Sequence, residues 1–251
     1  ERKERIYLAT KVPPKNLSWP ARGTLEEAFP RDHIVKCVES SLNNLKVERI
    51  DLLQLHVWDS SWFKEDQWYQ TLEELKSTGK VACIGVSVND HQPDSVLELV
   101  NSGRIDTVQV IYNIFDQSPE DKLFPLCLKK QVGVIARVPF DEGALTGSIT
   151  PQTSFPKKDW RNFYFQENRK KQVFDRVVPL KNLLGEEAET LAALALKFCL
   201  CHPAVNTVIP GMRSVDHVES NLAVADQAPF SKNMIDRLRT HRWEKNFYLP
   251  S

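Results

Sequence analysis

Polar and ionisable side chains stand where short apolar runs stop. Lys11 closes Ile-Tyr-Leu-Ala-Thr, His56 follows Asp-Leu-Leu-Gln-Leu, Ser87 follows Cys-Ile-Gly-Val, and Gln109 sits inside Thr-Val-Gln-Val-Ile-Tyr, with Arg137 and Arg213 continuing the series. An ammonium and an imidazole are proton-handling groups, and placing either at the inner end of a strand is costly unless it is paired or used. Taken singly each has an ordinary reading, His56 as a satisfied core histidine and Lys11 as a strand-end surface lysine. The four together point to a site at one end of a sheet.

The runs that would position them recur with helical segments between: 6–12, 50–56, 82–88, 107–112, 132–139 and 206–210. They are short and apolar on both faces, which suits parallel strands covered by helices. Ile34, Val35, Val38, Ser41, Leu42 and Leu45 keep helical spacing after Phe-Pro-Arg-Asp (29–32). Further helices are expected around Trp68, Leu72 and Leu75, ending at Thr78-Gly79, and around Val96, Leu97 and Val100, closed by Ser102-Gly103. Three more are expected over 191–200, 215–225 and 233–243. Two stretches, 13–30 and 140–179, read as irregular and rich in Pro, aromatic and basic residues. Each follows a strand, so both would lie at the carboxyl end of a parallel sheet, where α/β proteins bind ligands.

Composition limits the function. The 33 basic and 33 acidic side chains balance, without the basic footprint of a nucleic-acid or membrane-surface binder, so the expected partner is a small molecule. No run has the apolar length of a membrane span and residues 1–5 are charged, so the chain reads as cytoplasmic. Cys37, Cys83, Cys127, Cys199 and Cys201 lie in apolar segments without a Cys-x-x-Cys pair and are expected to be buried free thiols. With 9 glycines and neither GxGxxG nor GxxxxGK, a nucleotide would need another kind of cradle.

Six ordered blocks resemble the aldo-keto reductases: Ala-Thr-Lys-Val (9–12); Ser-Leu-Asn-Asn-Leu (41–45) leading to Arg-Ile-Asp-Leu-Leu-Gln-Leu-His (49–56); and Leu-Lys-Ser-Thr-Gly-Lys-Val-Ala-Cys-Ile-Gly-Val-Ser (75–87). The others are Val-Gln-Val-Ile-Tyr-Asn (108–113), Pro-Phe-Asp-Glu-Gly-Ala-Leu-Thr-Gly (139–147) and Val-Ile-Pro-Gly-Met-Arg-Ser (208–214), followed by Glu219 and Asn221. The resemblance implies an α/β fold, a (β/α)8 TIM barrel forming a single domain over 1–251, that binds NADPH without a Rossmann domain. It implies hydride transfer between NADPH and a small aldehyde or ketone. Lys11 matches the lysine that lowers the pKa of an acid tyrosine, and His56 the histidine that orients the carbonyl. The family's Asp and Tyr precede that lysine, beyond Glu1, so the resemblance implies strands three to eight of the barrel and a chain inactive by itself. No metal is implied.

The resemblance also implies cofactor residues. Ser87 and Gln109 match partners of the nicotinamide carboxamide; the usual asparagine beside the serine is Val88 here, with Asn89 one place on. Arg137 stands where the family stacks an aromatic ring on nicotinamide. A guanidinium can stack, but its charge disfavours the cationic oxidised ring. Pro139, Phe140, Gly143 and Leu145 match the strap over the pyrophosphate, and Gly211, Arg213, Ser214, His217 and Asn221 the adenosine pocket. The fork of Arg213 suits a 2′-phosphate. Trp19 and Trp58, with Trp62, Trp160, Phe163 and Tyr164, are candidates for a substrate pocket, while 156–161 reads as a solvated face. Two other classes stay open: an NADPH-binding redox sensor or regulatory subunit, and a metal-dependent hydrolase built on His56, Asp59 and His91.

Overall fold

The structure, a computed structural model, describes residues 6–243 and 245–249. The chain divides into two compact units, Glu1–Val110 with Lys122–Val134, and Ile111–Asp121 with Ile135–Ser251.

The first unit alternates strands and helices: β1 (Ala9–Val12), α1 (Leu25–Ala28), α2 (Arg31–Leu45), β2 (Ile50–Leu55), α3 (Gln67–Ser77), β3 (Val81–Ser87), α4 (Leu97–Ser102), all but the last residue of β4 (Thr107–Ile111), α5 (Leu123–Lys130) and the start of β5 (Gly133–Arg137). Strands β1 to β4 pair in parallel in sequence order, with Lys11 beside Gln54, Gln54 beside Gly85, Gly85 beside Thr107 and Ser87 beside Gln109. Because side chains alternate along a strand, Lys11, Gln54, Gly85 and Thr107 form one row on one face, with His56, Ser87 and Gln109 in the next row of that face. Gly85 is required by this packing: a Cβ there would lie 2.2 Å from Thr107 Oγ1 and 2.6 Å from its carbonyl oxygen. Leu53, Leu55, Ile84, Val86 and Val108 are fully buried, as are Ile34 and Val38 of α2 and Trp68 and Leu72 of α3. A Thr24–Glu27 capping box starts α1.

In the second unit the Tyr112 N–H donates to the Arg137 carbonyl at 3.2 Å, continuing the ladder at the end of β5. A 3₁₀ segment (Asp141–Thr146), α6 (Arg161–Tyr164), α7 (Arg169–Lys181), α8 (Leu191–Leu200), β6 (Val205–Ile209), α9 (Val215–Ala225) and α10 (Lys232–Arg239) follow. Among the described residues no helix is long and apolar enough to cross a membrane.

Several expectations need correction. The first strand begins at Ala9; Ile6 and Tyr7 are exposed rather than strand residues. The stretch 140–179, expected to be irregular, contains α6 and α7, and the stretch 13–30 contains α1. Helix α5 has no counterpart among the expected helices, and α10 stops at Arg239 rather than reaching Trp243. All five cysteines are free, but only Cys127 and Cys199 are buried; Cys83 is exposed on β3.

Candidate active site

In the first unit, strand ends set the geometry. The His56 N–H donates to the Val12 carbonyl at 3.0 Å, fixing the exit of β2 against the end of β1, one residue past Lys11. The edge of Trp19 packs on the His56 ring, centroids 4.6 Å apart at 81°, and the Trp19 indole N–H donates to Asp90 Oδ2 at 3.1 Å. Trp19 remains 45% exposed, whereas Trp58 is completely buried against Trp62 and Trp68. Trp19 can therefore face a ligand directly, while Trp58 backs the loop.

Asn89 has other work than ligand binding. Its Oδ1 accepts from the Ala21 N–H at 3.2 Å, and its Nδ2 donates to the Trp58 carbonyl at 3.0 Å and to Gln92 Oε1 at 3.2 Å. The amide ties three loops together and its donors are spent. Ser87 differs. It is 1% exposed, and among the described residues its Oγ meets no hydrogen-bond partner; the same holds for Gln54 Nε2 and Thr107 Oγ1. Leaving such a group unsatisfied costs about 1–3 kcal/mol. All three lie on one face of one sheet, where the described residues supply them no partner. Gln54 and Thr107 are additions to the residues singled out from the sequence, although a Gln inside an apolar run is the available signal.

In the second unit a cavity of about 480 Å³ is lined by Pro139, Phe140, Gly143, Gly211, Arg213 and His217, and also by Glu142, Trp160 and Arg161. Arg137, Leu145, Ser214 and Asn221 do not line it. Leu145 is buried, Ser214 Oγ caps α9 by accepting from the His217 N–H, and Asn221 Nδ2 donates to the Gly211 carbonyl at 3.3 Å. The latter two thus shape the wall from behind. Pro156, Lys157, Lys158 and Trp160 are exposed, as a solvated face requires, while Arg161 and Asp159 are half-buried and paired: Nε and Nη2 of Arg161 donate to Asp159 at 3.0 and 2.6 Å. The Arg161 side-chain bonds, then its backbone N–H, hold the Asp159 carboxyl down to about 2. The backbone turns sharply here, with φ of +56° at Val138, +47° at Asp141, +57° at Glu142 and +100° at Gly143.

Two arginines and an imidazole on one cavity of the second unit suit an anionic ligand. Glu142, a carboxylate on the same wall, has its Oε1 engaged by the Tyr248 hydroxyl at 2.5 Å. Three described tyrosines differ from an exposed acid beside Lys11. Tyr7 is in solvent, Tyr112 donates to Glu120 and is pushed up by burial and that carboxylate, and Tyr164 donates to Asp141 and is raised by burial. Among the described residues no group of three or more His, Cys, Asp and Glu could hold a metal ion; Asp59 instead caps the 3₁₀ segment beginning at Ser60.

A family model described as "Aldo/keto reductase family" matches residues 1–242. An uncharacterized oxidoreductase, YqkF, of Bacillus subtilis is 29% identical over 83% of this chain and 65% of its own length. The NADH-specific methylglyoxal reductase of Escherichia coli is 30% identical over 88% of this chain and 70% of its own. Among solved structures, the aldo-keto reductase AKR11C1 from Bacillus halodurans, in its holo form, superposes with a TM-score of 0.72 at 27% identity, covering 96% of this chain and 74% of that one. The chain spans 62–73% of the length of eight curated relatives it matches. With six strands in βα alternation, polar residues at the strand ends and a basic cavity beside Gly211, the chain belongs to the aldo/keto reductase family.

Proposed function

We propose that this chain serves the reduction of a small aldehyde or ketone by NADPH, as one barrel domain over 1–251. The observation that carries the reading is the cavity on which Arg213, Arg161 and His217 meet Pro139, Phe140, Gly143 and Gly211. These residues would hold the pyrophosphate and adenosine end, the fork of Arg213 taking a 2′-phosphate. Ser87 and Gln109 would hold the carboxamide, Ser87 by giving its buried hydroxyl a partner. Bound NADPH supplies the hydride.

The chain's own residues handle the proton and the carbonyl. An ammonium at Lys11 favours the charged form of a neighbouring phenol and so makes it a better acid near pH 7. The His56 imidazole orients the carbonyl oxygen, and the edge of Trp19 limits its motion and keeps water from one side. The acid itself is not assigned to any described tyrosine.

NADPH and NADH are titrated while tryptophan fluorescence is read on this chain, followed by turnover of a generic aldehyde. Saturable NADPH quenching with aldehyde-dependent oxidation is the expected result. Preference for NADH would overturn the role of Arg213, and binding with no turnover would replace the reductase by a regulatory NADPH-binding barrel.

A further inference from the structure

The tail after α10 is fastened within the second unit. Buried Arg169, at the start of α7, donates to the carbonyls of Tyr164, Phe247 and Leu249 at 3.2, 2.9 and 3.3 Å, and the Trp243 N–H donates to the Phe115 carbonyl at 2.9 Å. Between these anchors Lys245 turns inward. Its side chain is 5% exposed, and Nζ lies 2.7 Å from Asp141 Oδ1 and 3.0 Å from the Tyr164 hydroxyl, which donates to the same oxygen at 3.0 Å. Trp243, Tyr164 and Phe247 surround the ammonium at 5.2, 5.3 and 4.6 Å. Tyr248 then donates to Glu142 and lies parallel to Trp160, 5.9 Å away at 8°.

The two acids gripped by the tail are consecutive left-handed residues, followed by Gly143, with Val138 just before. A run of such φ values persists only where the surroundings over-determine it. Asn113 Nδ2 holds the Val138 carbonyl at 3.0 Å on one side of the turn; Lys245 and Tyr248 hold the other. This turn carries Pro139, Phe140, Glu142 and Gly143 of the cavity, and Tyr248 also backs Trp160.

We propose that the C-terminal tail is a clasp. Lys245 and Tyr248 are positioning residues that hold the Asp141–Gly143 turn in the shape that receives the pyrophosphate. The assignment of the pyrophosphate rests on the cofactor reading above; the clasp itself does not. A buried ion pair adds little net stability over an apolar pair but selects one geometry, which is what a strap over a ligand needs.

The test uses Lys245→Met, Tyr248→Phe and the double variant Lys245→Met/Asp141→Asn, which leaves no unpaired buried charge. Hydrogen exchange is measured without cofactor, and binding of NADPH and of adenosine 2′-monophosphate by fluorescence. The expected result is faster exchange over 139–147 with β6 and α9 unchanged, and NADPH weakened roughly tenfold, the size of a modest misplacement of binding groups. Adenosine 2′-monophosphate, which lacks the pyrophosphate, should change by less than about twofold. Unchanged exchange over 139–147, equal weakening of both ligands, or faster exchange with NADPH affinity unchanged overturns the proposal. Should Lys245→Met fail to fold, Tyr248→Phe, which removes one hydroxyl, decides alone. Absence of NADPH binding by the wild type overturns the cofactor reading instead, and the exchange data still decide whether the clasp exists.

Discussion

Ser87 and Arg137 show how one side chain can separate binding from stability. A buried hydroxyl without a partner is a cost to the folded chain, so Ser87→Ala should stabilise the unliganded protein by about 1 kcal/mol, or leave it unchanged, while weakening NADPH severalfold. Chemical denaturation and a fluorescence titration measure the two effects. A clear loss of stability would mean that Ser87 already has a partner, and the orphaned-group argument would fall. Arg137 makes a different prediction. Its charge opposes the cationic oxidised ring, so Arg137→Tyr should tighten NADP more than NADPH. An unchanged ratio of the two dissociation constants would remove Arg137 from the nicotinamide. Residues such as Lys11, His56 and Ser87 are legible in the sequence because their chemistry contradicts the apolar run that carries them. Arg161 and Glu142 are not, because they reach the cavity wall through an Asp159 fork and a run of positive φ that no spacing rule encodes.

At the scale of the element, packing explains what the sequence reveals and what it hides. Strands β2 to β4 are readable because they are mostly buried and their runs are largely apolar, with few polar residues interrupting them. Helix α5 is hidden by Pro125, which the first turn of a helix tolerates but which reads as a breaker. In α7, Val173, Val177 and Leu180 keep helical spacing, yet the Arg-Lys-Lys start and Pro179 near the end disguise them as loop. Gly85 is the element-level test of the sheet. Between Gln54 and Thr107 it lets β4 bring a threonine against β3, so Gly85→Ala forces a Cβ into Thr107 and should cost about 1–3 kcal/mol in denaturant unfolding. Gly79 is the control: a Cβ there would meet nothing within 4 Å, but φ is +76°, so any loss from Gly79→Ala comes from backbone strain alone. Equal losses at the two positions would argue against the close approach of β3 and β4.

Across the whole molecule the 33 basic and 33 acidic side chains cancel, so general self-repulsion contributes little near neutrality and particular buried groups set the pH dependence. Two histidines do so. Burial pushes His202 below the usual imidazole range, with Glu120 opposing and Arg239 adding to the shift. Its Nδ1 accepts from the Ala204 N–H at 3.2 Å, which requires the neutral ring. Burial, then Arg176, lowers His241 in the same way. The unfolded chain, with imidazoles near about 6.5, therefore binds protons more readily than the folded one below that pH. Stability from these groups is complete above about pH 6.5 and falls as the pH drops from there through the lower folded values. The loss from Asp159, whose carboxyl is held down to about 2, belongs to a separate and more acidic window. Thermal unfolding at constant ionic strength should thus be level from about pH 8 to 6.5 and decline toward about pH 5. Replacing His202 and His241 by Asn should flatten that decline, since Asn at 202 can still accept from Ala204 without titrating. A midpoint that stays level through the acid range in the wild type, or a decline untouched by the double replacement, would show that these two rings do not set the acid limit of the fold.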